Sequence, residues 1–133
     1  MIINGRAISK GKAKGEVLLS RDEISFLGDV DPRTGVVVEK KLDAYRKSMA
    51  GKILVFPRGR GSTVGSYVLY QLKKNKKAPR AIINLEAETI VAVGAIISKI
   101  PMVDRLERNP LEFLKNGDII KVDGDKGLVE VEK

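Results

Sequence analysis

The order of short elements between residues 52 and 84 constrains this chain most. Lys52 to Phe56 reads as a buried strand, stopped by Pro57. Gly59-Arg60-Gly61-Ser62 follows as a glycine-rich turn. From Thr63 onward Val64, Tyr67, Val68 and Leu72 recur at helical offsets, so one face of a helix is apolar. Ala81-Ile82-Ile83-Asn84 is a second short apolar strand. Strand, glycine turn, helix, strand is a βαβ unit, and it commits the chain to an α/β fold with parallel strands.

The rest of the chain extends that unit. Ile90 to Ile97 carries no charge, and its length is ambiguous between a buried helix and a strand. A helix from about Ala87 to Ser98 is favoured, because Met102-Val103 beyond Pro101 then completes a second βαβ unit. Asp118 to Asp123 and Leu128 to Val131 alternate around Gly124 and Gly127, which predicts a hairpin. Ile2 to Ile8 and Glu16 to Leu19 read as strands joined by the turn Ser9 to Gly15. Residues 20–34 are polar and irregular, Val36 to Val38 a short strand, and Asp43 to Ala50 a brief helical turn. One α/β domain over residues 1–133 is expected, its antiparallel β portion made from both ends of the chain.

Composition narrows the chemistry. There is no Cys and no His, so the chain can hold neither a thiolate-bound iron–sulfur cluster nor a Cys/His zinc site, and it has no Ser-His-Asp triad. Only 5% of residues are aromatic and none is Trp, so the core must be aliphatic. Lys and Arg number 25 against 17 Asp and Glu, a net charge of +8 that favours an anionic partner. The densest basic group, Lys73, Lys74, Lys76, Lys77 and Arg80, falls at the predicted end of a helix, where cations complement the helix dipole. The start Met-Ile-Ile-Asn-Gly-Arg is no signal peptide and no apolar run reaches membrane-spanning length, so a cytoplasmic chain is expected.

Ser62 is the candidate catalytic residue. It falls where a helix N-cap would, and capping alone would account for a serine there. Gly59 and Gly61 allow close approach by a ligand, Ser66 is one turn further on, and Arg58 and Arg60 add charge that a cap does not need. Arg58, Arg60, Gly61, Thr63 and Ser66 are therefore candidate substrate-binding residues. The nucleotide P-loop spacing is absent. Phe26 and Asp31 are candidate loop contacts, since a loop Phe needs something to pack on; an ordinary surface loop is the plainer reading. Asn84 and Glu86 close a predicted strand, where α/β ligands usually sit, though turn polarity would also place them there. Residues 90–97 read as core rather than as a partner groove.

Taken in order, Ser25-Phe26-Leu27-Gly28-Asp29-Val30-Asp31-Pro32, Phe56 through Tyr67, and Val93 through Val103 resemble the aconitase X small-subunit family, which in archaea supplies the small subunits of phosphomevalonate dehydratase. The resemblance covers about residues 1–131. It implies a swivelling β/β/α domain of the aconitase superfamily, and a separate large subunit carrying an iron–sulfur cluster, 4Fe-4S by expectation. It implies a hydro-lyase that dehydrates (R)-5-phosphomevalonate to trans-anhydromevalonate 5-phosphate in a modified mevalonate route to isoprenoids. The family's proton-accepting serine falls on Ser62. No metal or cofactor is expected on this chain itself.

The residues suit that chemistry. A proton must leave the carbon next to a carboxylate, and hydroxide the neighbouring carbon. The second task suits an iron acting as Lewis acid, which a chain without thiolates must receive from a partner. The first needs a base, and a helix N-terminus with nearby arginines would stabilise a serine alkoxide. Two other readings stay open. One is an aconitase-like dehydratase subunit acting on a hydroxyproline or a tricarboxylate. The other is a basic nucleic-acid-binding module, disfavoured by three Tyr, three Phe and dispersed charge.

Overall fold

A computed structural model describes residues 1–132. Its strands are β1 (Ile2–Asn4), β2 (Arg6–Ser9), β3 (Lys12–Leu19), β4 (Ile53–Phe56), β5 (Ala81–Asn84), β6 (Met102–Asp104), β7 (Ile119–Asp123) and β8 (Leu128–Val131). Its helices are α1 (Phe26–Asp29), α2 (Gly65–Lys74), α3 (Thr89–Ile97) and α4 (Pro110–Phe113). The strand order is β1-β8-β7-β3-β4-β5-β6-β2. β3 to β6 are mutually parallel along that order, joined through α2 and α3, so both expected βαβ units are present. β1, β8, β7 and the first half of β3 pair antiparallel, which is the expected contribution of the two chain ends.

Side-chain alternation turns this sheet into three layers. On β4, Leu54 and Phe56 face a core shared with Leu69, Leu72, Val91 and Ala95 of the helices. Ile53 and Val55 face the other way, into a core with Ile120, Val122, Val129 and Val131. All four are fully buried, because a parallel strand covered on both faces must be apolar throughout. The architecture is the expected β/β/α one.

Several local expectations are corrected. Ile2 to Ile8 is two strands, broken at Gly5, where a Cβ would lie 2.5 Å from the Asp104 carbonyl oxygen. The break lets one segment pair with β8 before it and β6 after it, at opposite ends of the strand order. The turn expected over Ser9 to Gly15 shrinks to Lys10 and Gly11, since β3 begins at Lys12. Val36 and Val37 make only isolated bridges. Residues 42–47 form successive three-residue-span turns (Tyr45 N–H to Leu42 O, Lys47 N–H to Ala44 O) without a helix. The α3 helix lies where expected, but it is not all core: Val93, Ile96 and Ile97 are exposed while Val91, Gly94 and Ala95 are buried.

Candidate active site

The loops that leave the carboxyl ends of β3, β4, β5 and β6 meet along one edge, the usual position for ligands in parallel α/β sheets. Backbone bonds stitch them together. Ile24 N–H donates to Arg58 O (3.3 Å) and Arg60 N–H to Ile24 O (3.1 Å), which fixes the loop after β4 against the segment after β3. Leu85 and Glu86 N–H both donate to Pro57 O, and Arg105 N–H donates to Leu85 O. Asn84, fully buried, donates from Nδ2 to Phe56 O at 3.1 Å, holding the root of the glycine loop, while its Oδ1 has no partner.

Ser62 stands on that loop. The regular helix α2 begins at Gly65, with Val64 at the cap position, so the expected cap at Ser62 lies two residues early. Its local role is still a cap: Oγ accepts the Val64 N–H at 3.1 Å and the Ser62 carbonyl accepts the Gly65 N–H at 3.0 Å, forming a lead-in turn. A hydroxyl oxygen that already accepts an N–H is stabilised as it gains negative charge. Among the described residues, the backbone N–H groups of Gly61, Ser62 and Thr63 have no protein acceptor. The loop therefore presents a donor set for an anion beside the hydroxyl. Ser66 lies one turn on and its hydroxyl donates to Thr63 O at 3.1 Å.

The arginines are less free than the sequence suggests. Arg60 reaches Asp29 (Nη2 to Oδ2, 3.5 Å) and Arg58 reaches Glu23 (3.7 Å). Asp29 is buried and also accepts the Ser25 N–H at 2.8 Å, so it positions Arg60. Glu86 sits among cations on the same edge. Its carboxyl is held below the ordinary value, first by hydrogen bonds from Arg105 at 2.7 and 2.9 Å, then by the charges of Arg105, Arg6 and Arg58.

Phe26 packs edge-on against Phe56, ring centroids 6.0 Å apart, and is 2% exposed. It forms floor beneath the start of α2 and offers no ligand-facing surface. Asp31 is engaged in its own turn, accepting the Arg33 N–H at 2.9 Å, which lowers its carboxyl pKa. The basic group of residues 73–80 ends α2 as expected, with Lys73 and Lys74 in its last turn. Asp29 belongs to the loop that the sequence marks around Phe26, without its contact to Arg60 being legible there, and Ser25, whose Oγ would lie 2.6 Å from a Cβ at Gly61, is not marked on its own. Their one sequence signal is their place in the motif around Phe26.

The mixed α/β architecture is that of a swivel domain. The family model described as the aconitase X swivel domain matches residues 2–131, and the chain belongs to that family. It is 67% identical over 129 residues to the phosphomevalonate dehydratase small subunit of Methanosarcina mazei, covering 97% of this chain and 90% of that one. It is 60% identical over 131 residues to the protein of that name from Thermococcus kodakarensis, covering 98% and 96%. The crystal structure of Thermococcus kodakaraensis aconitase X in its holo-form superposes with a TM-score of 0.95 at 59% identity, covering 100% of this chain and 99% of that one.

Proposed function

We propose that this chain, as a single swivelling domain over residues 1–133, is the small subunit of a cytoplasmic phosphomevalonate dehydratase, active only with its large subunit. The reaction is loss of water from (R)-5-phosphomevalonate to give trans-anhydromevalonate 5-phosphate. The names of relatives at 60–67% identity support the substrate. The observation that carries the mechanism is the Val64 N–H directed at Ser62 Oγ on an otherwise open edge.

The Ser62 oxygen, as alkoxide, takes the proton from the carbon beside the substrate carboxylate, and the bond electrons move toward the neighbouring carbon as its hydroxide leaves. The Val64 amide holds the alkoxide before transfer. The free amides of Gly61 and Thr63 hold an anionic group of the substrate, with Arg58 and Arg60 adding charge tempered by Glu23 and Asp29. Ser66 lines the same rim. This chain does not fit an iron–sulfur cluster: it has no thiolate and no imidazole, and its described residues contain no cluster of three metal-binding side chains. The 4Fe-4S cluster of this reading belongs to the large subunit, and handling of the leaving hydroxyl falls to that partner.

Ser62→Ala in the reconstituted two-subunit enzyme tests the assignment. Loss of the cap costs about 1 kcal/mol, so the subunit still folds. Loss of the proton acceptor is expected to lower kcat by about 10²–10⁴-fold. Turnover within a few fold of wild type would show that Ser62 is a cap and nothing more.

A further inference from the structure

Residues 62–72 and 89–98 contain no charged side chain, in a chain where 32% of residues are charged. These stretches are most of α2 with its lead-in and all of α3. A helix face that meets water normally carries charge. Here Val64 (46% exposed), Tyr67 (59%), Val93 (41%), Ile96 (55%) and Ile97 (59%) lie open to solvent instead. The two helices pack closely at Gly94, where a Cβ would lie 2.8 Å from Leu69 Cδ1 and 3.0 Å from Ser66 Cα. That contact leaves a shallow groove of about 250 Å³ lined by Ser66, Tyr67, Tyr70 and Ile97.

We infer that this α2/α3 face is the surface on which the large subunit docks, an inference that rests on the proposed two-subunit enzyme. Two observations select that occupant. The face is continuous with the site, since Ser66 belongs both to the turn that Ser62 begins and to the groove. A chain that brings the missing metal chemistry to Ser62 reaches the groove without leaving the surface. The composition is also that of an interface, with an apolar, tyrosine-bearing centre and cations at its rim, where Lys74 lies against the Tyr70 ring and Lys10 and Lys99 lie beside Ile96. A second copy of this chain would cover the same face and leave the serine edge incomplete.

The test compares binding of the purified large subunit to wild-type chain, to I96K/I97K, to Y67S and to Ser62→Ala. Tyr67, Ile96 and Ile97 are exposed, Ser62→Ala removes a cap together with the proposed proton acceptor but no part of the groove, and Ile119→Lys, an exposed apolar site on β7, serves as control. The expected result is binding weakened at least about 30-fold in I96K/I97K and measurably in Y67S, with Ser62→Ala and Ile119→Lys unchanged. Binding of I96K/I97K and Y67S within about threefold of wild type overturns the inference. So does a wild-type homodimer that the same substitutions dissociate while large-subunit binding is untouched. A wild-type complex that assembles through this face but does not dehydrate phosphomevalonate refutes the proposed reaction and leaves the docking face standing.

Discussion

Gly59 and Gly61 shape the serine loop in different ways. Gly61 has φ +92°, a left-handed conformation, and a Cβ there would press on the Ser25 hydroxyl. Gly59 is buried under α3, and a Cβ there would collide with Val91 Cγ2 and approach Glu88 Oε1, the carboxylate that caps α3. Gly59→Ala is expected to destabilise the chain by about 1–3 kcal/mol, the range for overpacking a filled site. Because relief requires the loop or the first turn of α3 to move, kcat in the reconstituted enzyme falls as well. Urea unfolding beside a turnover assay checks both; a change under 0.5 kcal/mol, on the scale of an ordinary surface substitution, would show that α3 yields freely. The sequence shows two permissive residues flanking Arg60. It does not show that Val91 and Ser25 are what they must avoid, nor that Asp29 holds Arg60. Those partners lie some thirty residues away and are set by the packing of three loops.

Elements were legible where one local rule decided them. β4, α2 and β5 follow from short aliphatic runs and helical spacing, and β7 with β8 from alternation around glycines, whereas the uncharged run of α3 is ambiguous locally and becomes a helix only through the second βαβ unit it completes. The β1/β2 break was not legible, because Ile2 to Ile8 reads as continuous strand and only the approach of the Asp104 carbonyl to Gly5 divides it. The exposed face of α3 was missed for a related reason: a run without charge looks like core whether or not the molecule supplies a cover. What joins these elements at the site edge is Asp104, on β6 and fully buried. It accepts Arg6 Nε and Nη2 at 2.9 and 2.7 Å from β2, and the Ala87 N–H at 2.7 Å ahead of α3. Asp104→Ala is expected to cost about 2–4 kcal/mol, since it takes the acceptor from the half-buried Ala87 amide and ends a charge-assisted lock between three elements. Arg105→Ala, which breaks an exposed pair with Glu86, should leave the melting temperature nearly unchanged. Thermal melts of both variants separate the buried lock from the surface pair; equal losses would contradict it.

At the scale of the whole molecule, the missing histidine governs behaviour with pH as much as it governs chemistry. No side chain here has an ordinary pKa between about 5 and 8. The shifted carboxylates are all held low, while Arg6 and Arg105 are held above the ordinary arginine value, chiefly by hydrogen bonds to Asp104 and Glu86. Glu86 is lowered chiefly by hydrogen bonds from Arg105, Asp31 by the Arg33 backbone N–H, and Asp123 by the backbone N–H of Lys126. A carboxyl whose pKa is lower in the folded than in the unfolded chain binds fewer protons when folded. Its stabilisation is complete above the unfolded value, about 4, and is lost as pH falls through the folded value. Protonation also adds to a net charge already at +8, so self-repulsion reinforces the loss. The melting temperature should therefore be flat from about pH 5.5 to 8 and fall steadily below about pH 4, the fall being smaller at high salt. Melts across that range check it, and a stability step centred near pH 6.5 would contradict it. The same reasoning separates subunit from enzyme. This chain supplies no imidazole, so an activity step of the assembled enzyme with an ordinary histidine pKa would have to come from the large subunit.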